Sequence, residues 1–375
     1  MSKKILFVTS TRADFSLQKH LIKLFTLNKN YEVYLIVTGS HLSKAYGLTV
    51  KEIKINKCKI IKVRQDLSKD KTSDVSNLFT KYLIVSNKLI KKHKFDLSIL
   101  IGDRYEILSI ALSLFLNNIP INHLHGGETT IGSKDDIFRD IISKMAKNHF
   151  VSHDIYRKKL LFMGVNSMSI FNFGAFCSDN LNNFRKKDFN DISYNLKLNL
   201  EIKSYFVFTY HPETKFIEDE IEKLKIILES FKKFNNKKFI FTSSNHDISS
   251  NKINNYLNKF SKKYKNNFFF VYSLGSDNYF NLISNSAGVI GNSSSGVIEA
   301  PFFKIPTINI GLRQSGRYLH PSVINTRCDT EDIINAINKS LNSKFLFNIK
   351  KMKNPLIKKN TSLNCYNKII SLYES

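Results

Sequence analysis

The stretch with the clearest chemical potential is Gly/Ser-rich and reads Gly291-Asn292-Ser293-Ser294-Ser295-Gly296. It follows the short apolar run 287–290 and leads into a segment that contains Glu299. A buried strand that stops at such a turn and restarts as a helix points backbone N–H groups, hydroxyls and a helix dipole at one spot, where phosphate binds well. Glu299, one turn further on, could accept both hydroxyls of a ribose. The stretch indicates a nucleotide site, although serines that only cap a turn would look the same.

Carboxylates, histidines and arginines follow five other apolar runs of strand length. Any one of these stretches could be a structural turn or helix cap, but their repeated position at strand ends predicts a shared site. The stretches are Thr9-Ser10-Thr11-Arg12-Ala13-Asp14-Phe15-Ser16, Thr38-Gly39-Ser40-His41, Gly102-Asp103-Arg104, His123-Leu124-His125-Gly126-Gly127-Glu128 and His211-Pro212-Glu213-Thr214.

The elements that must position these residues alternate between apolar strands and amphipathic helices such as 17–25 and 76–91. Continuous apolar strands separated by helices predict a parallel sheet covered on both faces. The pattern weakens across 179–202, so we expect two doubly wound α/β domains joined near residue 180, with ligands in a cleft at the carboxyl ends of the strands. The predicted strands are 5–8, 31–37, 60–63, 97–101, 119–124, 149–151, 169–173, 205–209, 238–241, 268–271, 288–290 and 306–310.

Composition limits the possible classes of protein. The 375 residues carry a net charge of +26, but the lysines are spread along the chain, and neither a tryptophan nor an aromatic-and-basic motif supports RNA binding. The four cysteines are far apart, so neither a disulfide framework nor a metal site is expected. The apolar run at the N-terminus is too short for a signal peptide or membrane span. We expect a cytoplasmic protein that binds no nucleic acid and no membrane.

Seven motifs in order resemble the hydrolysing UDP-N-acetylglucosamine 2-epimerases of bacterial sialic acid synthesis, over roughly residues 3–320. The resemblance implies a GT-B-like fold with domains at 1–178 and 179–352, and a C-terminal helix at 353–375 that crosses back to the first domain. It also implies a homodimer or homotetramer. The motifs are Arg12-Ala13-Asp14, Gly102-Asp103-Arg104-Tyr105-Glu106-Ile107, the His123 to Glu128 stretch, Asp135-Asp136 with Arg139, His211-Pro212-Glu213-Thr214, the Gly291 to Gly296 stretch and Gly311-Leu312-Arg313-Gln314-Ser315-Gly316-Arg317.

The implied reaction converts UDP-N-acetylglucosamine and water to N-acetylmannosamine and UDP, and a relative in the family acts on a GDP-linked diacetamido sugar. Inverting C2 beside a C1 diphosphate requires a base for the C2 proton, an acid for the return step and positive groups for the departing nucleotide, but no cofactor. The carboxylate candidates are Asp103, Glu128, Asp135 and Asp136. The candidates for substrate and nucleotide binding are Arg12, Ser16, His41, Arg104, His211, Asn245, Leu274, Ser293, Ser294, Glu299 and Arg313.

The resemblance assigns the nucleotide to the second domain. Residues near Ser273 and Leu274 would line the base, Ser293 and Ser294 would bind the diphosphate, and Glu299 the ribose. Asn245 and Asp247 fit the neighbouring loop, although an Asx turn explains them equally well. The sequence leaves open whether the base is uracil or guanine.

Two positions depart from the family pattern. His125 stands where many relatives carry a catalytic glutamate, and Asp140 stands where a histidine is usual. Either His125 transfers the proton itself, as its unperturbed pKa near 6.5 would allow, or Glu128 takes over, with His125 in a structural hydrogen bond. A glycosyltransferase of the same fold remains an alternative function, although it would not need so many carboxylates on the strand ends of the first domain.

Overall fold

The computed structural model describes residues 2–43, 48–64, 72–213, 219–244, 250–272 and 274–374. The chain divides into two compact units. Unit 1 comprises the described residues of Met1–Thr129, Lys134–Asn182 and Pro355–Ser375, and unit 2 those of Thr130–Ser133 and Asn183–Asn354. The division is close to the predicted domain boundaries but places a four-residue segment, Thr130–Ser133, with unit 2.

Unit 1 is built on a seven-stranded parallel sheet in the order β3-β2-β1-β4-β5-β6-β7. Alternate residues of β1 enter different cores: Ile5 and Phe7 pack on one face of the sheet, while Leu6 and Val8 pack on the other. This double burial explains why the strands read as continuous apolar runs. The strands are β1 Lys3–Thr9, β2 Tyr31–Val37, β3 Cys58–Lys62, β4 Leu97–Ile101, β5 Ile121–Leu124, β6 Asn148–Val151 and β7 Ile170–Asn172.

Helices cover both faces of this sheet. The last helix of the chain contributes the buried residues Cys365 and Ile369 to the same core as Ile5 and Phe7, so the C-terminal helix belongs to unit 1. The helices of unit 1 are α1 Arg12–Leu27, α2 Thr72–His93, α3 Tyr105–Leu116, α4 Asp135–Met145, α5 Asp154–Phe162, α6 Ser178–Asn182 and, at the C-terminus, α14 Thr361–Tyr373.

Unit 2 is built on a six-stranded parallel sheet in the order β10-β9-β8-β11-β12-β13. Its core is rich in phenylalanine, and the rings of Phe231 and Phe239 stack with their centroids 4.4 Å apart. The strands are β8 Tyr205–Thr209, β9 Lys238–Thr242, β10 Phe268–Val271, β11 Gly288–Gly291, β12 Thr307–Ile310 and β13 Val323–Thr326. The helices are α7 Phe189–Leu196, α8 Glu220–Phe231, α9 Ser250–Lys263, α10 Gly275–Asn285, α11 Ser294–Ile298, α12 Thr330–Leu341 and α13 Ser343–Lys351.

The strand order reverses once in each sheet, between β1 and β4 in unit 1 and between β8 and β11 in unit 2. Ligands of such sheets bind outside the carboxyl ends of the strands at this switch point, because the neighbouring loops there diverge to opposite faces. Asp14 lies in the first turn of the helix that follows β1, and Asp103, His211 and Ser293 lie in the loops at these two points. The topology therefore assigns most of the predicted strand-end motifs to the expected position in each unit.

The twelve predicted strands are present, with boundaries that differ by at most two residues. The prediction missed β13, an edge strand with the polar residues Asn325 and Thr326. The predicted C-terminal helical segment was too long at its start: α14 begins at Thr361, after Asn360 in a left-handed conformation. Pro355 restricts the residue before it and supplies no backbone N–H, which favours an extended approach to the helix. None of the helices that the structure describes is long and apolar enough to cross a membrane.

Candidate active site

A buried arginine of α4 gathers acidic side chains beyond the carboxyl ends of β4 and β5. The guanidinium of Arg139 forms an ion pair with Asp103, which follows β4, and its Nη1 lies 3.5 Å from Oδ1 of Asp136. Nη1 also donates a 2.8 Å hydrogen bond to the backbone carbonyl of Glu128. Burial alone would lower the pKa of Arg139, but the charges of Asp103, Glu128, Asp136 and Asp135 outweigh it and the pKa is raised. The arginine therefore keeps its charge, pairs directly with the carboxylates of Asp103 and Asp136, and is influenced by the charges of Glu128 and Asp135.

The Glu128 carboxylate is held by side chains from the loops after β5 and β6. His125 Nδ1 and Ser152 Oγ each lie 2.7 Å from Oε1 of Glu128. The other ring nitrogen of His125, Nε2, accepts a 3.0 Å hydrogen bond from the backbone N–H of Phe176. Glu128 and Ser152 are almost fully buried. Whether His125 or Glu128 moves a proton remains a prediction at this stage.

The loop after β1 is organised by Asp14 of the Arg12-Ala13-Asp14 motif. Oδ2 of Asp14 accepts hydrogen bonds from the backbone N–H groups of Ser10 and Thr11 and from the Ser10 hydroxyl, and Asp14 and Thr11 form a capping box at the start of α1. Arg12 lies 3.3 Å from Glu52 in a partly exposed ion pair. The motif therefore combines a rigid turn with an accessible arginine, and the substrate-binding role of Arg12 stays a prediction.

Three further binding candidates of unit 1 have protein partners. His41 is buried, and its two ring nitrogens share hydrogen bonds with the hydroxyls of Thr9 and Thr49, at 3.0 and 2.7 Å. Burial lowers the pKa of His41, which favours the neutral form of the ring. Ser16 accepts hydrogen bonds from Asn180 through both its carbonyl and its hydroxyl. These contacts build the loops around the site, and direct substrate contacts of His41 and Ser16 remain predictions.

Two acidic residues beside the site, Glu106 and Asp140, form ion pairs with basic side chains other than Arg139. The Nε of Arg104, the third binding candidate of this group, lies 3.3 Å from Oε2 of the buried Glu106. Asp140, which departs from the family pattern, forms a 2.7 Å ion pair with Lys159 of α5. Asp140 therefore has a structural partner that does not involve the Arg139 group.

In unit 2 the loops after β8 and β11 are joined by reciprocal hydrogen bonds. The backbone N–H of His211 donates to Oδ1 of Asn292 at 2.7 Å, and Nδ2 of Asn292 donates to the carbonyl of His211 at 2.8 Å. Gly291 has φ +128°, and a Cβ there would lie 1.9 Å from the carbonyl oxygen of Thr209. Only glycine fits this turn. It leads to Ser293, which caps α11, and to Ser294 in its first turn, where backbone N–H groups have no intrahelical acceptor.

The turn and helix start at residues 291–296 form a cradle of backbone N–H groups and hydroxyls. A second loop, 311–317, is anchored beside this cradle. Oε1 of Glu213 accepts hydrogen bonds from the backbone N–H groups of Leu312 and Arg313. Side chains then return to the cradle: Nη1 of Arg313 and Nε2 of Gln314 both donate to the carbonyl of Asn292, at 3.3 and 2.8 Å. Arg313 is therefore positioned against the Gly/Ser stretch, and its role in nucleotide binding stays a prediction.

Of the remaining nucleotide candidates, the structure describes Glu299 and Leu274. Glu299 ends α11, and burial raises the pKa of its carboxyl although a hydrogen bond from Ser295 opposes this. Leu274 immediately precedes α10 and is partly exposed. Asn245, Asp247 and Ser273 lie outside the described residues.

Sequence reasoning missed four residues that build the site: Arg139 and Ser152 in unit 1, and Asn292 and Gln314 in unit 2. Ser152 follows β6 directly, so the strand-end rule applied to that strand would have found it. Arg139, Asn292 and Gln314 lie inside quoted motifs, but their partners Asp103, His211 and Asn292 are 36, 81 and 22 residues away in the chain, and no local pattern shows those contacts. Among the described residues, no group of three or more histidine, cysteine or acidic side chains could hold a metal ion.

Two parallel α/β units with polar residues at both switch points, and a C-terminal helix returned to the first unit, define a GT-B-like enzyme fold. The family described as UDP-N-acetylglucosamine 2-epimerase matches residues 25–370. The chain therefore belongs to this epimerase family.

Individual relatives agree with this assignment. The chain is 35% identical to the polysialic acid biosynthesis protein P7 of Escherichia coli, over 96% of this chain and 92% of that protein. It is 37% identical to the GDP/UDP-N,N'-diacetylbacillosamine 2-epimerase (hydrolyzing) of Campylobacter jejuni, over 88% and 86% of the two chains. The crystal structure of UDP-GlcNAc 2-epimerase from Neisseria meningitidis bound to UDP-GlcNAc superposes with a TM-score of 0.81 at 15% identity, over 98% of this chain and all of that one. This last likeness concerns the fold.

Proposed function

We propose that the protein is a hydrolysing 2-epimerase that converts UDP-N-acetylglucosamine and water to N-acetylmannosamine and UDP, in the cytoplasm and for sialic acid synthesis. The observation that carries the proposal is the group of acidic residues around Arg139 at the strand ends of unit 1. Removal of a carbon-bound proton and its replacement from water require an acid and a base close together. A cluster of carboxylates held by one buried arginine meets that need without a cofactor.

The proposed reaction has two steps, an elimination of UDP and an addition of water. A carboxylate of unit 1 takes the C2 proton, and the C1–O bond to the diphosphate breaks as a C1–C2 double bond forms. UDP departs, and 2-acetamidoglucal remains in the site. Water then adds its oxygen to C1 and gives one proton to a carboxylate, while an acid delivers a proton to C2 on the face opposite to the one from which the first proton left, which produces the manno configuration. Asp103, Glu128 and the pair Asp135 and Asp136 are the proposed acid and base groups, because all of them act on the charge of Arg139.

The nucleotide half of the substrate is assigned to unit 2. The N–H groups and hydroxyls of Ser293 and Ser294 and the guanidinium of Arg313 would bind the diphosphate, and the Glu299 carboxylate the ribose hydroxyls. The backbone N–H of His211 holds the Asn292 side chain next to these serines, and the His211 ring shares a 3.0 Å hydrogen bond with Ser244. The base would lie beside Leu274.

A second substrate, GDP-N,N'-diacetylbacillosamine for legionaminic acid synthesis, is a specific alternative within the same reaction. It is favoured by the C. jejuni relative, whose name includes GDP- and UDP-linked forms of that sugar. Offering the UDP and GDP sugars side by side and measuring released nucleotide decides between them. The proposal for UDP-N-acetylglucosamine fails if only the diacetamido sugar is consumed.

Mass spectrometry of the product formed in D2O tests the reaction class. The proposed route gives free N-acetylmannosamine with deuterium at C2 and UDP in equal amounts. A non-hydrolysing epimerase would give the label on a nucleotide-linked product, and a transferase or simple hydrolase would leave hydrogen at C2. Asp103→Asn should abolish turnover while UDP affinity changes little. Loss of UDP affinity in step with activity would show that Asp103 has a binding or structural role instead.

We also propose that the chain forms a homodimer through an apolar surface on unit 1. Phe115, Ile137, Ile141 and Met163 line a shallow depression between α3, α4 and α5, and the neighbouring Phe162 is 93% exposed. A second copy fits this surface because Asp140 and Lys144 balance its charge, whereas the whole chain carries +26 and would otherwise repel itself. Analytical ultracentrifugation should show a dimer that Phe162→Asp converts to monomer. A monomeric parent chain would refute the assignment.

A further inference from the structure

His125 occupies a backbone conformation that is uncommon for a residue with a side chain. Its φ is +61°, in the left-handed region, although glycines follow it in the chain. Such a conformation costs on the order of 1 kcal/mol or more and persists where surrounding contacts determine it. The backbone N–H of His125 donates to the carbonyl of Phe150, which places the residue at the end of β5 and turns its ring inward. The imidazole is therefore fixed by the fold and has little freedom to follow a substrate.

The two ring contacts of His125 determine which nitrogen carries the proton. The partner of Nε2 is the backbone N–H of Phe176, which can only donate, so Nε2 must be the unprotonated acceptor. A neutral imidazole then carries its proton on Nδ1, which donates to Oε1 of Glu128 at 2.7 Å. A protonated Nε2 would face the amide hydrogen of Phe176, and this contact opposes the imidazolium form.

Ser152 supplies a second hydrogen bond to the same oxygen. Its hydroxyl donates to Oε1 of Glu128 at 2.7 Å, and the serine is about 1% exposed. His125, Ser152 and Phe176 follow β5, β6 and β7, three neighbouring strands of the sheet. His125 and Ser152 both contact Oε1 of Glu128, while Phe176 holds the other side of the His125 ring, so residues that follow three strands together set the orientation of Glu128.

We propose that His125 and Ser152 are positioning residues that orient and ionise Glu128, and that His125 acts only as a neutral donor through Nδ1. Glu128 and the carboxylates near Arg139 then transfer the protons at the sugar. Of the two roles that the sequence left open for His125, this assigns the structural hydrogen bond. The inference rests on the proposed function for the identity of the reaction, but the hydrogen-bond arrangement does not depend on it.

The first test uses the full-length protein labelled with 15N in its histidines. Long-range 1H–15N spectra recorded at pH 8 should show one histidine, absent from His125→Asn, whose ring proton is on Nδ1 and whose Nε2 is unprotonated. This result requires no substrate. A neutral His125 ring with its proton on Nε2 would overturn the proposal whether or not the enzyme is an epimerase.

The second test compares kcat and KM with pH for three serine variants. Ser152→Ala should lower kcat roughly 10- to 100-fold, because a lost hydrogen bond to a charged group is worth that factor, with KM nearly unchanged. The pH limb that belongs to Glu128 should move up by about one pH unit, because the carboxylate is then easier to protonate. Ser152→Thr, which keeps the hydroxyl, should recover most of both effects. Ser98→Ala is the matched control, because Ser98 is equally buried but donates to Pro120.

His125 provides a matched pair of variants. His125→Asn places an amide N–H near the position of Nδ1 and should retain more activity than His125→Leu, which removes the donor. A wild-type enzyme that consumes neither nucleotide sugar would refute the proposed function and leave the spectra to judge the arrangement. An active enzyme whose pH profile is the same in Ser152→Ala and Ser98→Ala would refute the positioning role and leave the proposed function standing.

Discussion

Replacing Arg139 by methionine should destabilise unit 1 strongly. The guanidinium is buried and compensates the charges of Asp103 and Asp136 while it binds the Glu128 carbonyl. Methionine keeps the aliphatic part of the side chain but leaves these acidic groups without their cation. Removing one partner of a buried ion pair typically costs about 3–5 kcal/mol. For a unit of this size each kcal/mol lowers the midpoint by about 2–4 °C, so a fall of about 6–20 °C is expected.

Differential scanning calorimetry at pH 7 measures this change, with the transition of unit 1 separated from that of unit 2. Arg327→Met is the matched control, because Arg327 also pairs with an aspartate, Asp332 at 2.6 Å, but is 86% exposed and should change the midpoint little. Asp103→Asn in the Arg139→Met background should recover part of the loss, because it removes one uncompensated charge. An Arg139→Met midpoint within the range of Arg327→Met would refute the inference that Arg139 holds the acidic group together.

Three further predictions concern the nucleotide cradle and a buried histidine. Gly291→Ala should abolish UDP binding measured by calorimetric titration, because its Cβ would overlap Thr209. Gly275→Ala is the control and should keep UDP binding, because Gly275 also has a positive φ of +71° but open space around it. Equal UDP affinities of the two variants would argue against a cradle. Arg313→Ala and Glu299→Ala should each weaken UDP binding by about 1–3 kcal/mol, and unchanged affinity in both would refute the nucleotide assignment. Burial lowers the pKa of His149 from 6.5 to about 4, so the unfolded chain binds a proton that the folded chain does not as the pH falls below 6.5. His149→Leu should remove about 2 kcal/mol of the loss of unfolding free energy between pH 7 and pH 5, and an unchanged pH dependence would contradict this.

The parts of the fold that depend on local pattern could be predicted. Continuous apolar runs such as those of β1 and β4 identify strands covered on both faces, because each successive side chain meets a core. Strand β13 was missed because an edge strand is covered less completely, so its polar Asn325 reads as a loop. The start of α14 was misjudged because helical spacing of apolar residues continues through the segment before Thr361, while Leu356 there uses its carbonyl to pair with Ala175.

The sequence by itself determined which chemical groups stand at the carboxyl ends of the strands: the acids Asp103 and Glu128, and the serines of the cradle. Tertiary structure alone decided which of these groups meet. Asp103 and Arg139 are 36 residues apart, Glu128 and Ser152 24, and His125 and Phe176 51, and each pair is joined by the order of strands in the sheet. Hydrogen bonds and charges act over a few ångströms, so the tautomer of His125 and the charge balance around Arg139 follow from distances that no sequence pattern contains.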